Sequence, residues 1–203
     1  MKPVAAVLLV SAIALLAAPA HADDVTDAIG AAEIAYAAGS LAEAGARLEA
    51  ALAGVRGQLV ARLAAFLPGA RSGWTAGDVE GTGAGAADLG VSGGLVVSRA
   101  YHAPNGSTIE VSISADSPLL GSLRMYVTNP ALASMAGGPR MKKVAVCGFD
   151  AIENSDERGV REISILVGAR TLVSVSGRDG RDGPHVQTLA GSLDCAGIAA
   201  VVE

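Results

Sequence analysis

Two periodicities divide the chain. Over residues 24–66 apolar side chains recur every three, four or seven positions, the spacing of one helix face, whereas from Gly94 onward they recur every second position, the spacing of one strand face. In the helical part Val25, Ile29, Ala32 and Tyr36 share a face, and Gly39, which tolerates a left-handed backbone, ends the first helix. Ser40 with Glu43 three residues on reads as a capping box, each side chain satisfying a backbone N–H that the first turn leaves orphaned. Leu41, Leu48, Leu52, Val55, Leu59, Leu63 and Phe66 then form a sustained stripe, with Glu43 and Arg47 as an i,i+4 pair on the exposed side, until Pro68-Gly69 ends the helix. Gly45, Gly54 and Gly57 each weaken this helix by about 1 kcal/mol relative to alanine, so it relies on packing. At about 39 Å it is roughly twice as long as its partner. The end of the stripe, Val55, Leu59, Leu63 and Phe66, therefore overhangs and must cover the second domain, another copy or a different protein, which makes it a candidate interaction surface.

In the second part, Leu95 to Tyr101 and Thr108 to Ser114 read as two strands joined by the turn residues Pro104-Asn105-Gly106. Ile109, Val111 and Ile113 point one way and Thr108, Glu110, Ser112 and Ser114 the other, the alternation of an antiparallel sheet with one wetter face. Further strands are expected over Lys143 to Phe149, Arg161 to Val167 and Thr171 to Ser176, with Asn154 to Gly159 and Gly168-Ala169-Arg170 as connections. Pro184 opens a C-terminal helix with Val186, Leu189 and Leu193 on its apolar face, and Ile198 and Val201 continue it after a break near Gly197. Between the second and third strands, Leu119 to Val127 reads as a helix and a short helical turn follows Asn129-Pro130. The segment has two readings: a crossover helix packed on the sheet, or an apolar flap (Leu119, Leu123, Met125, Tyr126, Met135) over a lipid or peptide groove.

Residues 69–93 carry eight glycines and read as a Gly/Ala-rich linker. Gly81-Thr82-Gly83-Ala84-Gly85-Ala86 superficially fits a dinucleotide fingerprint, but it lacks the required strand-turn-helix setting and a correctly spaced acidic residue. The fold class expected is α+β. A helical hairpin (23–68) and the linker (69–93) precede an α+β domain (94–203) of about five antiparallel strands, one inserted helix and a C-terminal helix.

The first 22 residues change the picture of where this fold operates. Lys2, the apolar run from Val4 to Leu16 and Ala20-His21-Ala22 form the three parts of a secretory signal peptide, with cleavage after Ala22. The run is too short for a stable membrane span, and no cysteine follows it to carry a lipid, so no stable membrane anchor is expected. The chain is expected to be exported to the periplasm or secreted. Loss of Lys2 leaves it one unit more acidic than the −5 of the full chain, which disfavours nucleic acid and anionic membrane surfaces as partners. The basic knot Arg140-Met141-Lys142-Lys143 reads as the solvated start of a strand. In an oxidising compartment Cys147 and Cys195 invite a disulfide, worth roughly 4 kcal/mol for a loop of this length, the alternative being two buried thiols.

The hairpin residues Tyr36, Gly39, Leu41, Glu43-Ala44, Leu48 and Ala51-Leu52 resemble one tetratricopeptide-type helical hairpin over about 30 residues. The family's tryptophan and Leu-Gly pair are missing, and no second copy follows, so a peptide-binding solenoid is not implied. As a whole the chain resembles the small exported proteins of bacteria, with a signal peptide, a short helical lead, a glycine-rich joint and an α+β body. That resemblance transfers no active site.

Catalytic signals are sparse. His102 and His185, both expected to face solvent, sit in no metal-ligand spacing, and Gly-x-Ser-x-Gly and Walker-type motifs are absent. A Ser-His-Asp set through Ser98 or Ser192 has no local mark. The repeated Arg-Asp-Gly at 178–183 has too few carboxylates for a calcium loop and reads as a surface turn. No cofactor, metal or catalytic residue is expected. The leading functional expectation is a non-catalytic envelope protein that binds a protein partner through the hairpin or the sheet, with no oligomeric state implied. The alternative is a carrier of a small apolar ligand held between the sheet and residues 119–136.

Overall fold

The computed structural model describes residues 21–82, 94–129, 131–132, 135, 140–178 and 180–203. The expected signal peptide (1–22) lies outside them except for its last two residues, and the fingerprint-like glycine run lies outside them beyond Thr82. The chain forms two compact units, up to Ala51 and from Leu52 onward.

The first unit is a helical hairpin of α1 (His21–Ala37) and the N-terminal part of α2 (Leu41–Ala64). Gly39 turns the chain with φ of +77°, and the Ala44 N–H donates to the Ser40 carbonyl to start α2. Arg47 pairs with Glu43 at 3.6 Å, as the i,i+4 spacing implies. The buried positions of this unit are the alanines Ala32, Ala35, Ala44 and Ala51, whereas Ile29, Tyr36, Leu41 and Leu48 are exposed. The expected leucine seam is therefore replaced by one of small side chains.

The second unit is built on a seven-stranded, wholly antiparallel sheet, two strands more than expected. The strands are β1 (Thr75–Thr82), β2 (Leu95–His102), β3 (Thr108–Ala115), β4 (Met141–Val146), β5 (Phe149–Asp156), β6 (Gly159–Val167) and β7 (Thr171–Gly177). Their order is β1-β2-β3-β7-β6-β5-β4, so two meanders meet at the β3–β7 pair. α3 (Leu120–Thr128) lies in the connection that carries the chain from the sheet centre to its β4 edge. α4 (Gly183–Gly191) and α5 (Cys195–Val202) close the fold.

Each additional strand is hidden in the sequence by a local feature. β1 falls in the expected linker. A bulge between Ala76 and Val79 breaks its period of two, so alternation does not show. β5 starts at Phe149, where the expected strand Lys143 to Phe149 ends, and runs into the expected connection at Asn154. The chain instead reverses at Cys147-Gly148, both with positive φ (45° and 84°), and Val146 pairs with Phe149 across this two-residue hairpin. Only a short turn at Glu157-Arg158 then separates β5 from β6.

One sheet face carries the core. Val97, Tyr101, Ile109, Val111, Ile113, Ile163, Ile165, Val173 and Val175 are at most 2% exposed, with Val186, Leu189 and Ile198 from α4 and α5 in the same cluster. The C-terminal part of α2 joins them. Leu63 is fully buried, Leu59 and Phe66 pack against the cluster, and Val55 remains 48% exposed. Three of the four candidate interaction residues are thus core, because α2 runs on past the hairpin and covers its own sheet. Val60 sits 2.6 Å from the point a Cβ on Gly81 would occupy, and the Phe66 ring takes the corresponding space at Gly197. The helix break in the C-terminal segment falls at Ser192 to Asp194 instead of Gly197, and Asp194 caps α5 by accepting from the Gly197 N–H at 2.9 Å. Cys147 and Cys195 form a disulfide, with Cα atoms 6.1 Å apart, that ties the β4–β5 turn to the start of α5. Among the described residues no single helix is long and apolar enough to cross a membrane.

Candidate ligand-binding cleft

The second sheet face is polar. Strand pairing places Ser98, Ser112, Ser174 and Ser164 in one row across β2, β3, β7 and β6, and Glu110, Ser176, Glu162 and Asn154 in the next row across β3, β7, β6 and β5. This follows from alternation: in Val111-Ser112-Ile113-Ser114 and Leu172-Val173-Ser174-Val175, each core residue is followed or preceded by one facing away. Ser164 is only 8% exposed, and its hydroxyl donates to Glu162 Oε1 at 3.1 Å. Ser174 donates to the same oxygen at 2.9 Å, so two strands clamp one carboxylate oxygen.

α3 walls this face. Ser117 opens the entry by accepting the Leu119 and Leu120 N–H groups through its hydroxyl and carbonyl, and the helix ends at Asn129, ahead of Pro130, which cannot continue it. Before it, Asp116 holds a positive φ of 56°, donates its N–H to the Arg170 carbonyl at 2.7 Å, and receives two guanidinium bonds from Arg170. Those bonds hold the Asp116 carboxyl below its usual range. Arg124 donates from α3 to the carbonyls of Gly168 and Ala169 in the β6–β7 turn. Leu120 and Val127 are buried with Ile152, Leu166 and Leu172, and Leu123, Tyr126 and Met141 pack around them.

Beside α3 these elements leave a cleft of about 430 Å³, within the size range of small-molecule sites. Its lining is mixed on both sides: Ser112, Ser114, Ser164, Ser174, Asn154 and Glu162 with Met141, Ile152 and Leu172 from the sheet, and Ser117 and Ser122 with Leu119, Leu123 and Tyr126 from α3 and its entry. Of the candidate flap residues, Leu119, Leu123 and Tyr126 come together here. Met125 and Met135 do not line the cleft and are 51% and 82% exposed, and part of 119–136 lies outside the described residues. α3 is thus a crossover helix packed on the sheet, and the groove beside it is not purely apolar, because serines, Asn154 and Glu162 share its floor with Ile152 and Leu172. The serine row was visible as polar positions in the strands; only the missed β5 and the β6–β7 pairing bring Asn154 and Glu162 to it.

The other candidates have structural partners. His102 Nδ1 lies 3.2 Å from Thr108 Oγ1 at the β2–β3 mouth, and the exposed His185 ring meets Trp74 edge-on at 5.0 Å. Ser192 donates to the Leu189 carbonyl at the end of α4. Asp182, in the Arg-Asp-Gly repeat, is buried and accepts from the Arg178 N–H at 3.1 Å, a turn role; Asp179 lies outside the described residues. Among the described residues no group of three or more His, Cys, Asp or Glu is placed to hold a metal ion. Comparison with known protein families, curated proteins and solved structures finds no match, so neither resemblance read from the sequence gains support there.

Proposed function

We propose that this is an exported, non-catalytic binding protein of the cell envelope that holds a small amphiphile in the cleft between the polar sheet face and α3. The observation that carries the reading is the mixed lining: hydroxyl, amide and carboxylate groups stand beside leucine, isoleucine, methionine and tyrosine side chains. Such a surface offers hydrogen bonds to a polar head and apolar area to a short tail. The signal peptide and the Cys147–Cys195 disulfide support an oxidising compartment. Native mass spectrometry of the chain purified from a bacterial periplasm tests it. The wild type should carry an added mass of a few hundred daltons that denaturation releases, and the cleft-filling Ser112→Trp should carry none. An adduct retained by that variant, or none on the wild type, refutes the reading.

A second reading rests on the hairpin. Ile34, Tyr36 and Leu41 are 73%, 70% and 67% exposed, more apolar surface than a free hairpin needs. They suit contact with an envelope protein. Periplasmic cross-linking that is unchanged by Ile34→Glu with Leu41→Glu would count against it.

A further inference from the structure

Glu162 makes the cleft selective for charge. Both of its hydrogen bonds among the described residues, from Ser164 and Ser174, fall on Oε1. A carboxylate offers about four acceptor positions over two oxygens, so Oε2 retains its full capacity at the cleft surface. None of the lining residues is lysine, arginine or histidine. The cleft therefore presents a negative charge, oriented by two strands, with no cation of the lining to neutralise it. Half-buried carboxylates gain most from a partner that brings positive charge and N–H donors together. Tyr126, the one aromatic ring in the lining, adds a π-face suited to a cation. An anion is repelled by Glu162 although the serine hydroxyls and the Asn154 amide could donate to it, and a neutral alcohol satisfies Oε2 without neutralising it.

Building on the cleft reading, we infer that the ligand is a small organic cation, an ammonium group carried on a short apolar chain, with the ammonium on Glu162 Oε2 and the chain along Leu119, Leu123 and Tyr126. Three probes with one chain and different heads separate the cleft from its charge preference: n-hexylammonium, 1-hexanol and hexanoate, titrated calorimetrically into the full exported chain. Hexylammonium should bind at least tenfold more tightly than hexanol, and hexanoate most weakly. Glu162→Gln should erase the hexylammonium advantage over hexanol. Hexanol or hexanoate binding as well as hexylammonium overturns the charge preference and leaves the cleft standing; so does an advantage that survives in Glu162→Gln. Silence from all three probes overturns the cleft itself. The head-group comparison on the wild type decides the matter even if the variant folds poorly.

Discussion

Gly45 and Gly197 are both helix-interior glycines, yet they should respond oppositely to alanine. Nothing lies within 4 Å of a Cβ at Gly45, so Gly45→Ala should stabilise by up to about 1 kcal/mol through helix propensity. At Gly197 a Cβ meets the Phe66 ring and the Asp194 cap, so Gly197→Ala should destabilise by about 1–3 kcal/mol, as overpacking does. Urea midpoints of the two variants check both signs. Tyr101 gives a third residue-scale prediction. Its ring is fully buried and its hydroxyl donates to the Pro68 carbonyl at 2.6 Å, beside Arg99, which donates to the same oxygen at 3.2 Å. Burial pushes the phenol above its ordinary value of 10.0, against the opposing pull of Arg99. With the folded value raised, this stability is fully present below pH 10.0 and is lost as pH rises through the folded value. Tyr101→Phe should therefore cost about 1 kcal/mol at neutral pH and flatten the alkaline loss of stability. An unchanged alkaline limb in melts above pH 10 would contradict this.

At the scale of elements, α2 shows how far periodicity reaches. Its stripe from Leu41 to Phe66 was readable, but not that it serves two settings. The leucines of the first half are exposed, while Leu59, Leu63 and Phe66 reach the core, because the small alanines take the buried positions of the hairpin. Leu63→Glu should abolish cooperative folding, whereas Val55→Glu should stay within about 0.5 kcal/mol of wild type. Comparable melts for the two would mean that α2 does not cover the sheet. Strands with clean alternation, β2, β3, β6 and β7, were legible. β1 and β5 were not: a bulge scrambles one, and in the other Ala151 and Ile152 are both buried because the two sheet faces are covered there. The turn between β4 and β5 lacks the usual Asn-Gly or Asp-Gly pair, since Cys147 takes the first left-handed position. The disulfide it makes should contribute about 2–4 kcal/mol, read as the drop in melting stability when Cys147 and Cys195 are both replaced by serine.

At the scale of the molecule, one sheet serves two purposes. Its core face anchors α2, α4 and α5, and its polar face stays open wherever α3 does not cover it. The sequence made the two faces legible, since the alternation of β3 and β7 already separates valine from serine. It did not reveal which strands lie side by side. The β3–β7 pairing joins segments distant in sequence, and together with the β6–β7 hairpin it sets Ser112, Ser174, Ser164 and Glu162 beside one another. Of the two readings of residues 119–136, α3 follows the crossover helix packed on the sheet; Met125 and Met135 are exposed and do not line the cleft. The central claim is that this cleft is where the protein binds its ligand. Amide chemical-shift mapping of residues 23–203 titrated with n-hexylammonium tests it most directly. The account predicts saturable shifts confined to β3, β6, β7 and α3, centred on Ser112, Ser164 and Ser174. Shifts centred instead on residues 24–51 of the hairpin, or none at saturating probe, would contradict it.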